Sequence, residues 1–293
     1  MSMLLIRGSF RPSGGAKPDG DTVPFIPDTV ADWKLVPGTP IRPGVDGQAA
    51  VRLEAVDALE THYARPGTTV QHQPLGLAHQ AADELLTWLG FTDIHRAENE
   101  TVTTTPETVP GFILTRGADV YGRCVALVGR GRPPACSGYE IDVDEGLLKK
   151  TANHHLLTVG LAYPTFYAGF PSRLRAVMTA AAKEARDASP KKGVWLKDAT
   201  TEGAKITGMP SLTADDGAVI LPKLFRRLKD YFDLNPANPP LDCFPAFLAG
   251  AGDRFRVTGR PKEITGLQHV VEITNEATLR MTERPEDLLF VEK

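Results

Sequence analysis

Cysteine is scarce in this sequence. Cys124, Cys136 and Cys243 are the only three in 293 residues, and no pair has a C-x-x-C spacing. So odd and sparse a set argues against a secreted disulfide scaffold and fits a reducing compartment. Long apolar runs are also missing. The first, Met3 to Ile6, stops at Arg7, which is too short for a signal-peptide core. None approaches the roughly 20 residues of a membrane span, so a cytoplasmic protein without a membrane partner is expected. No one sign of charge prevails, since the net charge is −3. That excludes bulk electrostatic attraction to nucleic acid, and any phosphate recognition needs a local basic patch. No internal repeat and no low-complexity segment is found. What remains is 42% hydrophobic and 24% charged residues, enough for a sizeable core in one large or two ordinary domains.

Hydrophobic period divides the chain. Met3 to Phe10 and Thr22 to Ile26 read as strands around an S-G-G-A-K-P-D-G-D turn, and the Pro- and Gly-rich residues 27 to 48 as a long hairpin insertion. Leu77, Ala81, Leu85 and Leu89 recur every four residues before Gly90, which predicts an amphipathic helix. Residues 111 to 128 return to strand, turning at G-A-D-V-Y-G-R. Helices are predicted over about 144 to 158 and from Ser172, read as an N-cap, through Ala185. A Gly- and Thr-rich stretch at 201 to 210 reads as a linker. Beyond it come a helix over 221 to 232 and short strands near 254 to 258, 269 to 274 and 278 to 282. Short strands interrupted by helices predict an α+β chain, with a small Greek-key barrel and packed helices.

The stretch V-R-L-E-A-V-D-A-L-E at 51 to 60 begins as a strand and then gives Asp57 and Glu60 in quick succession. Arg52 and Asp57, five apart, would face opposite sides of an ideal strand. Asp57 is therefore expected where the strand ends and the chain turns. Distant features join these three: D-G-D-T-V at 19 to 23 puts Asp21 at a strand start, and Y-G-R puts Arg123 just past a glycine turn.

The order D-G-D-T-V, R-L-x-x-x-D-x-x-E, amphipathic helix, D-x-Y-G-R, G-L-A at 160 to 162, then a basic helix through Arg173, Arg175, Lys183 and Arg186 that closes on K-K-G-V-W, resembles the staphylococcal nuclease-like (thermonuclease) family. The resemblance covers roughly residues 3 to 198. It implies a five-stranded OB-fold barrel and Ca²⁺-dependent hydrolysis of phosphodiester bonds in DNA or RNA. It implies Asp21, Asp57 and the backbone carbonyl of Ala58 as metal ligands, and Arg52 and Arg123 as phosphate clamps. Glu60 is implied as the carboxylate that activates or orients water, and Tyr121 as a nucleotide contact. Phe166 stands where the family often has a tyrosine on the terminal phosphate, with Tyr167 or Tyr163 as alternative carriers of that hydroxyl. Ala58 replaces a usual threonine and Leu59 a usual proline. The segment from Asp21 to Arg52 and the loop after the Arg123 strand are longer than in secreted members.

The chemistry of these residue types agrees. Ca²⁺ takes oxygen ligands and leaves sites open for water and phosphate. Guanidiniums meet phosphoryl charge with paired hydrogen bonds that lysine cannot reproduce. Two other classes stay open: a non-catalytic nucleic-acid or protein binding module on the same fold, and a phosphodiesterase for a small nucleotide. All five matching charged side chains are present, which favours catalysis. Lys223, Arg226, Arg227 and Lys229 read as the solvated face of their helix, with a second nucleic-acid contact as the alternative. Residues 1–204 are expected to form the nuclease-like domain and 205–293 an accessory mixed α/β unit, so a chain ending near Ala204 is expected to fold, unless Leu224, Phe225 and Phe232 complete the barrel's own core, in which case it would aggregate.

Overall fold

The computed structural model describes residues 1–234, 240–275 and 277–291. Strands β1 (Ser2–Phe10), β2 (Thr22–Pro27) and β3 (Ala49–Leu53) pair as an antiparallel meander. The insertion between β2 and β3 is anchored by Trp33, which is buried, donates its indole N–H to the Gly47 carbonyl and packs edge-on against Phe25. A short strand β4 (Val56–Ala58) and helix α1 (Leu75–Leu89) follow. Helix α1 buries Ala78, Ala81, Ala82, Leu85, Leu86 and Leu89, and Gly90 ends it in the left-handed conformation. A hairpin of β5 (Thr92–Arg96) and β6 (Val102–Thr105) lies where no strand was expected.

Strands β7 (Val109–Ala118) and β8 (Cys124–Arg130) complete the barrel. β7 runs antiparallel along β1, while β8 lies parallel to β3. The order β1-β2-β3-β8-β7 and back to β1 closes a barrel of five strands with helices packed on it. The expected α+β class is met at this level.

Two local expectations need correction. The helix expected over 144 to 158 is two helices, α2 (Glu145–Leu148) and α3 (Ala152–Thr158), preceded by a short β9 (Glu140–Asp142) that extends the sheet beside β1. Thr151 breaks the run by accepting a hydrogen bond from the His154 N–H at 3.3 Å, which caps α3. After β10 (Ala162–Pro164) and β11 (Phe166–Tyr167), helix α4 (Ser172–Asp187) begins on Pro171 with no side-chain cap, so Ser172 is its first helical residue.

The remainder holds β12 (Ala204–Lys205), α5 (Pro210–Thr213), α6 (Pro222–Leu234), α7 (Phe244–Ala251), β13 (Arg254–Val257), β14 (Glu263–Thr265), β15 (Val271–Thr274), β16 (Thr278–Met281) and β17 (Leu288–Val291). Part of the stretch read as a linker is itself paired, with Ala204 of β12 opposite Leu279 of β16. β11 joins β17 in parallel, and β17 joins β13. Leu224, Phe225 and Leu228 of α6 are fully buried in the same continuous apolar cluster as Val51, Leu53 and Ala58. Among the described residues, no helix is long and apolar enough to cross a membrane.

That shared cluster bears on where the chain can be cut. Each large apolar side chain buried contributes roughly 1.5–3 kcal/mol, against a usual total stability of about 5–15 kcal/mol. Removing α6 together with β17 therefore takes away more than a domain can lose. A chain ending at Ala204 is predicted to lose cooperative melting and to aggregate, as read by circular dichroism and size-exclusion chromatography. A monodisperse, cooperatively melting product would restore two independent folding units.

Candidate active site

The path from Arg52 to Asp57 is not a straight strand. β3 ends at Leu53, and Glu54–Ala55 form a turn in which Ala55 has φ +69°. A non-glycine residue in the left-handed region is strained. Here it is fixed on both sides: the Glu54 N–H donates to Ala126 O at 2.8 Å, and Ala55 O accepts from Thr165 N–H at 3.1 Å. The bend cancels the odd spacing. Arg52 Nη2 reaches Asp57 Oδ1 at 2.7 Å, so two residues that an ideal strand would separate form an ion pair.

The D-G-D turn is brought in by β2. Thr22 lies opposite Arg52, and the Leu53 N–H donates to Asp21 O at 2.7 Å. Asp21 Oδ2 then lies 3.5 Å from Arg52 Nη2 and accepts from the Ala58 N–H at 3.3 Å. Gly20 is required by space. A Cβ there would stand 2.5 Å from that of Ala58 and 2.7 Å from that of Ala81, so the turn is pressed between β4 and α1. Small side chains at 58 and 81 let the turn approach this closely.

The Y-G-R turn is organised by Asp119. Its Oδ1 accepts from the Tyr121 and Arg123 N–H groups at 3.0 Å each, and its Oδ2 accepts from Arg123 Nε at 2.8 Å. Arg123 therefore sits at the rim of the cleft with one edge of its guanidinium held, and does not touch Asp21 or Asp57. Tyr121 is 76% exposed beside it. The adjacent pair in β11 divides, as strand neighbours do. Tyr167 lines the cleft, while Phe166 is buried in the core and stacks on Phe170. Tyr163 is also buried and donates its hydroxyl to Asp198 at 2.7 Å.

The residue that sequence reasoning missed is Arg226. Its Nη2 lies 2.9 Å from Asp57 Oδ2, both terminal nitrogens lie 3.3 Å from Asp57 Oδ1, and Nη1 also bonds Glu60. Helix α6 thus forms a wall of the cleft, adding Lys223 and Arg227 as well. Lys223 lies 3.4 Å from Asp253 and 4.4 Å above the Phe290 ring, and Arg227 clasps Asp253 with two bonds of 2.6 and 2.7 Å. The cleft has a volume of about 1170 Å³. Pro37 and Gly38 of the β2–β3 insertion and the Arg116–Glu54 ion pair also border it.

Compared with known proteins, the chain matches no protein-family model and no curated sequence. The residues must therefore be read by their own electrostatics.

Asp57 has no exposed surface. Burial pushes its carboxyl up, but Arg226 and Arg52 outweigh burial and bring it down to about 2. Burial works against the charge of both arginines, and the facing carboxylates more than restore it. Asp19 is raised well above the carboxylate range by burial and then by Asp21 and Glu60. Glu60 is raised by burial, opposed by Arg226 and reinforced by Asp57 and Asp21. Four carboxyl groups, Asp19, Asp21, Asp57 and Glu60, thus face two guanidiniums.

Among the described residues, no three or more His, Cys, Asp or Glu side chains converge as a ready metal cage. In kind and in charge, the oxygen-rich and acid-crowded set around Asp21 suits a hard divalent cation. Asp57, however, has both oxygens held by arginine.

These contacts predict a pH dependence. A carboxylate lowered to about 2 from its ordinary 3.8 stabilises the fold above the unfolded value. That stabilisation, roughly 2 kcal/mol, is lost as pH falls through the folded value. Subtracting the urea stability of Asp57→Asn from that of the parent should isolate a term that disappears between about pH 4 and pH 2. At neutral pH the variant should be weaker by about 2–3 kcal/mol, because Arg52 and Arg226 lose the carboxylate they share and keep only Asp21 and Glu60 respectively. A variant as stable as the parent at pH 7 would contradict this reading.

Proposed function

We propose that this chain is a calcium-dependent nuclease of the staphylococcal nuclease-like kind, its barrel an OB-fold, acting on DNA or RNA in the cytoplasm. The strand order and the parallel β3–β8 pairing support the OB assignment. One observation carries the functional reading. Asp21, Arg52 and Glu60, from separate turns and strands, meet in one cleft that also holds Arg123, Tyr121 and Tyr167, and Asp57 lies buried directly behind Arg52 and Arg226 of its lining.

Asp21, Asp57 and the Ala58 carbonyl would hold the cation, which when bound supplies positive charge at the attacked phosphoryl group. Arg52 and Arg123 hold the phosphate. Arg123 is suited to this because Asp119 fixes its Nε and leaves the terminal nitrogens for a ligand. Glu60 accepts a proton from water or orients it. Tyr121 offers an exposed ring for stacking on a base. Tyr167 supplies the aromatic hydroxyl that Phe166 lacks.

The test is digestion of labelled DNA and RNA with Ca²⁺, with Mg²⁺ and with chelator. Cleavage with Ca²⁺ that chelator stops is expected; intact polymers under every condition would refute the nuclease. Hydrolysis confined to short nucleotides would identify the small-nucleotide phosphodiesterase, and binding without hydrolysis the non-catalytic module.

Variants extend the test. Asp21→Ala is predicted to abolish most activity and to raise the Ca²⁺ concentration needed. Arg52→Lys and Arg123→Lys are each predicted to lower kcat about a hundredfold, the loss of about 3 kcal/mol for one preorganised donor. A change confined to KM would mean uniform substrate binding instead. Glu60→Gln is predicted to lower the rate steeply and alter the acid side of the pH profile. An unchanged profile would reduce Glu60 to orientation.

A further inference from the structure

Arg226 stands on the carboxylate that the calcium reading needs. An ionised carboxyl group offers about four lone-pair positions. On Asp57, Oδ1 takes one contact from Arg52, at 2.7 Å, and two from Arg226, at 3.3 Å each, while Oδ2 takes one from Arg226, at 2.9 Å. Arg226 also bonds Glu60, so it bridges the expected ligand and the expected base. Arg226 thus covers both oxygens of a carboxylate that has no exposed surface, the oxygens a metal ion would use.

Helix α6 does not depend on Arg226 for its position. Leu224, Phe225 and Leu228 hold it in the core. Arg227 clasps Asp253, and Lys229 bonds Thr68 at 2.6 Å and pairs with Asp233. Arg226 is the member of this helix that spends its donors on the acidic cluster. Its side chain is 17% exposed at the cleft, so a way off the carboxylate lies open.

We propose that Arg226 is the resident cation of the site and sets its metal affinity, because a divalent ion on Asp57 and the Arg226 guanidinium on Asp57 exclude one another. Metal entry moves the guanidinium off Asp57 and Glu60, while α6 stays docked. By linkage, whatever strengthens the arginine contact weakens the metal by the same factor. The inference rests on the calcium reading above.

The test is calorimetric titration of the full chain with CaCl₂, without nucleic acid, for the parent, Arg226→Gln and Arg226→Lys. Arg226→Gln is expected to bind Ca²⁺ about tenfold tighter or more, within the usual span of site-to-site coupling, with Arg226→Lys between. Should Arg226→Gln not fold without metal, the parent alone decides by side-chain NMR. The Arg226 guanidinium signals should show slow rotation without Ca²⁺ and averaged, water-exchanging signals with it. Equal affinity in parent and variants, or bound Ca²⁺ with the guanidinium signals unmoved, overturns the competition and leaves the calcium reading standing. Weaker binding by the variants also overturns it, because Arg226 then positions Asp57 for the metal. No Ca²⁺ binding by any of the three proteins overturns the calcium reading and this inference with it.

Discussion

A single buried carboxylate, Asp57, holds this architecture to account. Removing an ion from water carries a penalty of several kcal/mol, and only close, well-aligned partners offset it. Asp57 meets that condition with two guanidiniums from distant parts of the chain, Arg52 in the barrel and Arg226 on α6. The docking of the C-terminal segment is therefore both apolar and electrostatic. Leu224, Phe225 and Leu228 fill the core, and Arg226 neutralises what the core has enclosed. The apolar face fixes the helix, and the helix in turn fixes Arg226 where the buried charge needs a partner.

The same constraint explains the strain at Ala55. Arg52 and Asp57 pair across an odd spacing, and only a bend between them can bring both to one side. The left-handed φ at Ala55 makes that bend, held by backbone hydrogen bonds to Ala126 and Thr165. Gly20 serves a parallel need, because the turn carrying Asp21 must touch β4 and α1 at backbone distance. At Ala55 and Gly20, strain and lost side-chain volume thus sit beside the carboxylates, where the fold gives up local comfort to fix geometry.

What the sequence disclosed follows from how local each signal is. The strands of β1, β2, β7 and β8 and the helix α1 follow from hydrophobic period, a property of neighbours. The meeting of Arg52, Asp57 and Glu60 was foreseeable because their spacing is short, and that of distant Asp21 with them because the order of the motifs resembles a known family. Arg226 was hidden for a physical reason. Four cations on an amphipathic helix look like a solvated face, and only the tertiary partner distinguishes a solvated arginine from one inserted into a cleft. Which of Phe166 and Tyr167 faces the cleft depends on the register of a two-residue strand, which no periodicity can set. The break at Thr151 was equally concealed, since Leu147, Leu148 and Leu156 continue an apolar pattern across it while the hydroxyl cap acts within one turn.

The charge pairing of the cleft wall limits how a polyanion can be held there. Lys223 and Arg227 are spent on Asp253, Arg226 on Asp57 and Glu60, and Arg116 on Glu54. A wall so internally neutralised, on a chain of net charge −3, is not a basic patch acting at long range. Attraction of a phosphate has to come from donors beyond this internal pairing, chiefly the terminal nitrogens of Arg123, the face of Arg52 turned to the cleft and whatever a bound cation would add. Such donors act over hydrogen-bond distance and in fixed directions, so they discriminate by the position of one phosphate rather than by the length of the polymer. A site of this kind would place its selectivity at one phosphate position, where the buried Asp57 pair fixes the geometry.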